Sequence, residues 1–405
     1  MRIIYIHQFF VTNEGAWGTR SYDVCRHLAA KGHEITMIRG ISDLSMDAMP
    51  WYKLYSKQRI AGFDVITCNV YAANVHNALR RMISYCWFAI LATFAACWVR
   101  RPDLVFATSL PLTIGIPGYL AARRHRVPFL FEVRDICPEG DVICGYLRKG
   151  SLVERLLALL EWFCYLKAKR IFLVSPGFEK RLIERGYDGR IMHTILLGAD
   201  GDLFTDLAGD GEFRKKHGLE GKTVAVYTGA HGTANGLYYV LDAAEKLKDR
   251  DDIAFVFIGD GREKPALMRQ AEERGLANCR FLDPVPQTEL VHILAVCDIG
   301  LMILRYVGER PVTPNKIFDY MFAALPSIVN FPGPTWEMVE RHGVGVYADP
   351  ADPQDLADEV AYWADHPEEA KAIGARARPV AYENYDRRQI AAQMEAAFRQ
   401  AITRP

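Results

Sequence analysis

Short apolar runs and amphipathic stretches alternate along the whole chain. Ile3 to Ile6 is an apolar run, and a helical pattern through Val24, Leu28 and Ala29 ends at Lys31-Gly32-His33. Glu34 to Ile38 is the next strand, and further strands are expected at Asp64 to Cys68, Leu104 to Ala107, Phe129 to Val133, Ile171 to Val174 and Met192 to Leu196. After the turn from Leu197 to Asp202 the alternation restarts. Thr223 to Tyr227, Ile253 to Ile258, Arg280 to Leu282 and Ile299 to Ile303 read as strands, with helices over Leu237 to Leu247 and Lys264 to Arg274. Strand and helix in turn define an α/β chain built on parallel sheets, in two doubly wound domains that meet near Asp200. Ligands of such sheets bind beyond the carboxyl ends of the strands, so the expected site is a cleft between the domains.

Composition fits that picture. The chain has 405 residues, too many for one ordinary core, and is 50% hydrophobic and 24% charged, as globular chains are. Lys+Arg and Asp+Glu both number 49, so the basic excess of a nucleic-acid binder is missing and no nucleic-acid partner is expected. The nine cysteines are scattered, without a Cys-x-x-Cys pair or zinc spacing. They read as buried free thiols in a reducing compartment, and no metal site is expected. The first residues, Arg2 to Ile6, form a strand and not a signal segment, which points to the cytoplasmic side.

The segment richest in chemistry is Pro314-Asn315-Lys316-Ile317-Phe318-Asp319-Tyr320-Met321, followed by Ala323-Ala324-Leu325-Pro326 and the apolar run Ser327 to Asn330. It predicts a loop, a helix that opens on a cation, a turn and a buried strand. Unpaired N–H groups at a helix start attract anions, and Lys316 adds a full charge there. Asp319, three residues on, shares its face and offers a carboxylate for hydroxyl groups. Together they suit the diphosphate and ribose of a nucleotide-sugar. A buried helix with one surface ion pair fits the same pattern.

Four loops at strand ends carry unusual polar residues. Gly15 to Arg20 opens a helix: Gly15 and Gly18 permit close backbone approach, Thr19 can cap, and Arg20 follows. Glu132-Val133-Arg134-Asp135 with Pro138-Glu139 puts charges directly after an apolar strand, which is costly unless they pair or meet a polar ligand. Gly229-Ala230-His231-Gly232-Thr233-Ala234-Asn235-Gly236 exposes backbone N–H groups, and His231 and Asn235 can donate to phosphate or sugar oxygens. Gly259-Asp260-Gly261-Arg262-Glu263-Lys264 is again strand-to-helix. None of these is a GxGxxG dinucleotide fingerprint with its distant acidic residue.

Residues 82–99 carry no charge and are bracketed by Arg80, Arg81, Arg100 and Arg101. At about 18 residues the stretch is at the edge of a bilayer span. Strands on both sides belong to one sheet, which argues against spanning. Two readings remain, a helix buried on the sheet and a helix lying in a membrane interface with Trp and Arg at its ends. Trp51 to Tyr55 is a possible second contact.

In combination these segments resemble a known family. The chain is similar to GT-B fold glycosyltransferases of family 4, and within them to WbuB-like bacterial sugar transferases of O-antigen, colanic acid and capsule assembly. The matching pieces are Tyr5-Ile6-His7-Gln8-Phe9-Phe10, Gly18-Thr19-Arg20-Ser21-Tyr22, Phe131-Glu132-Val133-Arg134-Asp135 with Pro138-Glu139, Tyr227-Thr228-Gly229-Ala230-His231-Gly232 with Gly236-Leu237, Gly259-Asp260-Gly261, and Pro314 to Tyr320. They run in order over nearly the whole chain.

The resemblance implies two Rossmann-like domains facing across a cleft. Residues 1–200 would bind the acceptor, residues 201–380 the donor, and a C-terminal helix over 381–405 would pack back on the first domain. It implies retaining transfer of a hexosyl or N-acetylhexosaminyl group from a nucleoside-diphosphate sugar, usually UDP, with no cofactor and no required metal. The acceptor would be a lipid-linked glycan, polyprenyl-diphosphate-linked, at the inner face of the cell membrane, with residues 80–101 touching that surface. Lys316 would neutralise the departing diphosphate, and Glu132 and Asp135 would orient the acceptor. Gly229, His231, Asn235, Gly259, Asp260, Arg262, Asn315 and Asp319 would line the donor, and Gly15, Gly18, Thr19, Arg20 and Arg134 an acceptor or phosphate loop. Asp319 stands where the family commonly has a glutamate. Pro311 stands where the wider family has the first glutamate of a Glu-x7-Glu pair, and Ala230-His231 where it has an Arg or Lys. A nucleotide-sugar epimerase or dehydrogenase is the α/β alternative, but Tyr5 to Gln8 followed by Gly15 and Gly18 is not its fingerprint. A non-catalytic sugar-binding module is the other, and it would not need a helix-borne lysine.

Overall fold

The structure is a computed structural model that describes residues 1–15, 18–41, 49–71, 78–205 and 211–403. The chain divides into two compact units, each built on its own sheet. The loop residues Ala16 and Trp17 lie outside the described residues.

The first unit holds β1 (Arg2–Ile6), β2 (Glu34–Ile41), β3 (Tyr55–Ile60), β4 (Phe63–Tyr71), β5 (Leu104–Thr108), β6 (Phe129–Val133), β7 (Arg170–Leu173) and β8 (Met192–Thr194). Among the described residues their order is β3-β4-β2-β1-β5-β6-β7-β8. All neighbours are parallel except β3 and β4, which form an antiparallel hairpin at the edge. β5 and β6 are buried along their full length, as expected of strands covered on both faces. The strand order reverses between β1 and β5, so loops after these strands open a crevice at that point.

The second unit holds β9 (Thr223–Thr228), β10 (Ile253–Ile258), β11 (Cys279–Leu282), β12 (Ile299–Met302), β13 (Ser327–Val329) and β14 (Gly345–Tyr347). Their order is β11-β10-β9-β12-β13-β14, all parallel, and it reverses between β9 and β12. Ala225, Tyr227, Phe255, Phe257, Leu301 and Trp363 anchor its core.

Neither unit is continuous in sequence. The first unit ends at Leu196, four residues before the boundary expected near 200, and takes up the chain again at Arg387. The expected returning helix over 381–405 is in fact two helices, Pro367–Asn384 and Arg387–Thr403, broken around Tyr385. Residues 381–386 stay in the second unit, where the Tyr385 ring packs at a tilt 5.0 Å from that of Phe318 and Ala381 is buried. Helix Arg387–Thr403 packs on helix Arg20–Ala30 and puts Ile390, Met394, Ala397 and Phe398 into the first core. Arg387 fixes its start with a buried ion pair to Asp23 and a 2.8 Å bond to the Thr19 hydroxyl.

The uncharged stretch forms helix Ala78–Trp98, and both sequence readings describe part of it. Phe88, Leu91, Ala92 and Ala96 are buried, which ties the helix to the sheet. Ile83, Trp87, Ile90, Phe94 and Trp98 are exposed at helical spacing, so the opposite face is apolar and uncovered. By length and composition the helix could cross a membrane. It joins β4 to β5 of one sheet, and its buried face belongs to that sheet's core.

Candidate functional site

In the second unit the loops after β9, β10, β12 and β13 interlock. Gly229 ends β9 with φ +125°, and Gly259 ends β10 with φ +147°. A Cβ on Gly259 would fall 1.9 Å from the Gly229 carbonyl oxygen. Glycine is therefore required there, because the two turns pack backbone on backbone. The neighbour nearest to a Cβ on Gly229 would be Lys316 Cε at 3.5 Å.

Lys316 opens the seven-residue helix Lys316–Phe322. Tyr320 holds this helix against the sheet: its hydroxyl accepts from Thr228 N at 3.1 Å and reaches Val226 O at 3.3 Å. The Lys316 ammonium sits 3.9 Å from the centroid of the Tyr227 ring. Desolvation pulls its pKa from the ordinary lysine range to about 7. Asp319 shares the helix but does not pair with Lys316. It is buried and accepts from Gln287 Nε2 at 3.1 Å and from Asn315 Nδ2 at 3.4 Å.

The loop side chains singled out in the sequence mostly hold the loops together. Asn235 Nδ2 donates to Ala230 O at 2.8 Å, and Asp260 Oδ1 accepts from Gly261 N at 2.8 Å. Arg262 Nη2 donates to Thr233 Oγ1 at 3.1 Å. His231 departs from its expected role as a donor to phosphate. Its ring is fully buried beside Tyr227, Phe257 and Phe281, and neither ring nitrogen has a hydrogen-bond partner. Burial, followed by Lys264, holds its pKa at about 4, so it is a neutral core residue. Its backbone does the linking, donating to Asp260 O and accepting from Glu263 N, each at 2.9 Å. Lys264 was not assigned a role from the sequence. Its ammonium caps two strand ends, donating to Gly259 O at 3.0 Å, Leu282 O at 2.9 Å and Asp283 Oδ1 at 2.7 Å. A lysine opening the helix after Gly259-Asp260-Gly261 was the available signal.

In the first unit a buried polar network lies beyond β1, β5 and β6. Glu132, at the end of β6, is fully buried. It takes Arg20 Nη2 at 3.0 Å, Arg134 Nε at 3.2 Å and Thr108 Oγ1 at 3.1 Å. Burial alone would raise its pKa, but Arg20 and Arg134 outweigh that and hold the carboxyl below its usual range. Glu132 thus departs from the expected role at the acceptor: its oxygens are committed to two guanidinium groups. Arg20 departs likewise from a phosphate role. It is buried, bonded to Glu132 and to the carbonyls of Ile195 and Leu196. Thr19 does not cap its helix; its hydroxyl donates to Asp23 at 2.8 Å. Arg134 is half-buried and also reaches Ser21 Oγ at 3.1 Å. Asp135 is exposed just beyond and Gly18 is exposed, whereas Gly15, expected in the same loop, is buried and belongs to the second unit.

The network extends to residues that the sequence reading quoted without a role. Ser21 Oγ lies 2.9 Å from His7 Nδ1 and 3.0 Å from the Tyr5 hydroxyl, which lies 3.1 Å from Thr108 Oγ1. Burial, then Arg134, pulls His7 well below its ordinary pKa and keeps it neutral. Their convergence at the β1/β5 switch point needs the fold to be seen.

Two doubly wound sheets, each with polar residues gathered beyond its switch point, define the architecture, and comparison with known proteins assigns it a family. A family model of group 1 glycosyl transferases matches residues 210–380, and one of a glycosyl transferase 4-like domain matches residues 15–198. The chain belongs to the GT-B glycosyltransferases of family 4. It is 27% identical over 292 residues to a protein of Pseudomonas aeruginosa named probable glycosyltransferase WbjE, covering 71% of this chain and 72% of that one. It is 23% identical over 324 residues to WcaI of Escherichia coli, named as a glycosyl transferase of colanic acid biosynthesis, covering 75% and 77%. The crystal structure of HepE from Anabaena in complex with UDP-glucose matches 99% of this chain and 100% of that one, with a TM-score of 0.73 at 16% identity.

Proposed function

We propose that this glycosyltransferase moves a hexosyl or N-acetylhexosaminyl group, with retention, from a UDP-sugar to a polyprenyl-diphosphate-linked glycan in bacterial surface polysaccharide assembly. The observation that carries the donor reading is Lys316 against Gly229 and Tyr227. It is a cation half-buried at a strand end, without a carboxylate partner among the described residues, at the beginning of a helix. Charge that develops on a departing diphosphate is matched there by a preformed positive group. The UDP-glucose bound in HepE and the colanic acid role in the name of WcaI support the same donor class and setting.

No dedicated base is needed. In a front-face reaction the leaving phosphate takes the proton of the attacking hydroxyl, and Asp135 and Arg134 help to position the acceptor. No metal is required, so transfer persists in EDTA.

A lipid-linked acceptor calls for a membrane-facing surface, and two helices of the first unit supply apolar faces. Helix Ala78–Trp98 exposes Ile83, Trp87, Ile90, Phe94 and Trp98, and helix Leu152–Lys167 exposes Leu152, Leu156, Leu159, Trp162 and Leu166. Helix Gly115–His125 packs against both and exposes Ile116 and Leu120. Exposed Arg80, Arg81, Arg100, Arg101, Arg148, Lys149 and Lys167 flank these faces. Contiguous apolar surface with a basic rim suits the inner face of an anionic bilayer. The function is tested by incubating the protein with UDP-sugars and a polyprenyl-diphosphate glycan in EDTA, then reading the anomeric configuration of the product by NMR. An axial donor bond that becomes equatorial contradicts the retaining assignment.

A further inference from the structure

Lys316 is preceded by a long loop that leaves β12 at Met302 and is anchored around the donor site. Arg305 N donates to Ala234 O at 3.0 Å, in the loop after β9. Asn330, just past β13, accepts from Leu304 N at 2.9 Å and donates to Leu304 O at 3.1 Å. Arg310 N donates to Pro332 O at 3.1 Å, and Thr335 Oγ1 donates to Val312 O at 2.9 Å. The loop is therefore braced on both sides of β12 before it delivers Lys316 against Gly229.

Arg310 lies in the middle of this braced loop. It is 9% exposed, and its Nη1 is buried with no hydrogen-bond partner. Its side chain makes no ion pair among the described residues. A guanidinium stays charged at any working pH. A charged guanidinium with one N–H group buried and unpartnered is costly, and such a group persists where a ligand completes it. Each phosphate of a nucleotide-sugar's diphosphate is an anion, and Lys316 matches only one. The loop after β9 has Ala230 and His231, and the neutral, buried His231 adds no charge.

We propose that Arg310 is the second cation of the donor site and receives an anionic oxygen pair of the nucleotide-sugar. This rests on the donor reading above and deepens it. The oxygens belong either to the diphosphate or to a carboxylate on the transferred sugar. A planar guanidinium fork suits both, since it can donate two parallel hydrogen bonds.

Calorimetric titrations of wild type, Arg310→Gln and Arg310→Lys with UDP, UDP-glucose and UDP-glucuronate test the assignment. Arg310→Gln is expected to weaken binding on the order of tenfold or more. A loss that is equal for all three ligands assigns the diphosphate. A loss confined to UDP-glucuronate assigns the carboxylate and makes the donor a uronic acid. Arg310→Lys keeps the charge without the fork, so it should recover part of a diphosphate contact and little of a carboxylate one. The melting temperature of ligand-free Arg310→Gln should equal or exceed that of wild type, because an unpaired buried charge is removed. Affinities of Arg310→Gln within about twofold of wild type for all three ligands overturn the proposal, whatever the melting temperature. Wild type that binds none of them contradicts the donor reading itself, before any substitution is made.

Discussion

The Lys316 ammonium lies 3.9 Å from the centre of the Tyr227 ring, on the strand that ends at Gly229. A ring face attracts a cation but does not neutralise it, so the ammonium keeps its capacity for an anion. Lys316→Ala should lower turnover on the order of a hundredfold or more, as losing a contact to charge that forms in the transition state does. Its melting temperature without ligand should not fall. Steady-state kinetics with the best UDP-sugar checks this, and near-normal turnover would remove Lys316 from the chemistry.

The same lysine predicts a pH signature. Without ligand its pKa is about 7, so it is largely neutral at mildly alkaline pH. A bound diphosphate favours the ammonium and raises that value. Binding of UDP-glucose at about pH 8 should therefore take up protons, and at about pH 5.5, where the ammonium exists in both states, this residue should contribute none. Affinity should fall as pH rises through 7 and above. Calorimetry in two buffers of different ionisation enthalpy measures the uptake, and a proton count that is the same at both pH values would count against the lysine.

Glu132 and Asp135 lie three residues apart and should behave differently. Glu132→Gln leaves Arg20 and Arg134 without their shared carboxylate in a buried site, and breaking such a pair costs roughly 3–5 kcal/mol. A fall of many degrees in melting temperature is expected. Asp135 is exposed, so Asp135→Asn should melt like wild type. If it positions the acceptor, it should lose activity while donor affinity is kept. Loss of donor affinity would put that loop on the donor side.

The apolar helices give a separable result. The protein should sediment with anionic liposomes, with each nearby arginine adding roughly 1 kcal/mol of attraction that salt weakens. Trp87→Ser combined with Leu156→Ser should reduce binding while thermal stability is kept, because both side chains are exposed. Phe88→Ser should instead destabilise the protein, since Phe88 is fully buried. If vesicles never bind it, these faces serve another partner.

Much of the fold is legible because its strands are buried on both faces. β6 reads Phe-Leu-Phe-Glu-Val and β10 Ile-Ala-Phe-Val-Phe-Ile, continuous apolar runs between turns. β3, Tyr-Ser-Lys-Gln-Arg-Ile, is an exposed antiparallel edge strand without such a signal, and its pairing with β4 comes from tertiary context. The site residues divide in the same way. Lys316, Gly229 and Gly259 were visible as helix-start and turn chemistry. The burial of His231 was not, because it depends on Phe257 and Phe281 from other strands. The role of Glu132 was hidden as well, since it is defined by Arg20, 112 residues away. Arg310 has no motif; only its burial and its missing partner mark it.

The most direct test of the donor site compares the thermal stabilisation of wild type and Lys316→Ala by UDP over a concentration series. At about a hundred times its dissociation constant a ligand adds roughly 2.7 kcal/mol of stability, a shift of a few degrees for a chain of this size. The account predicts that shift in wild type and its near-complete loss in Lys316→Ala at the same UDP concentration. An equal shift in both proteins, or no shift in wild type with UDP or any UDP-sugar, would contradict it.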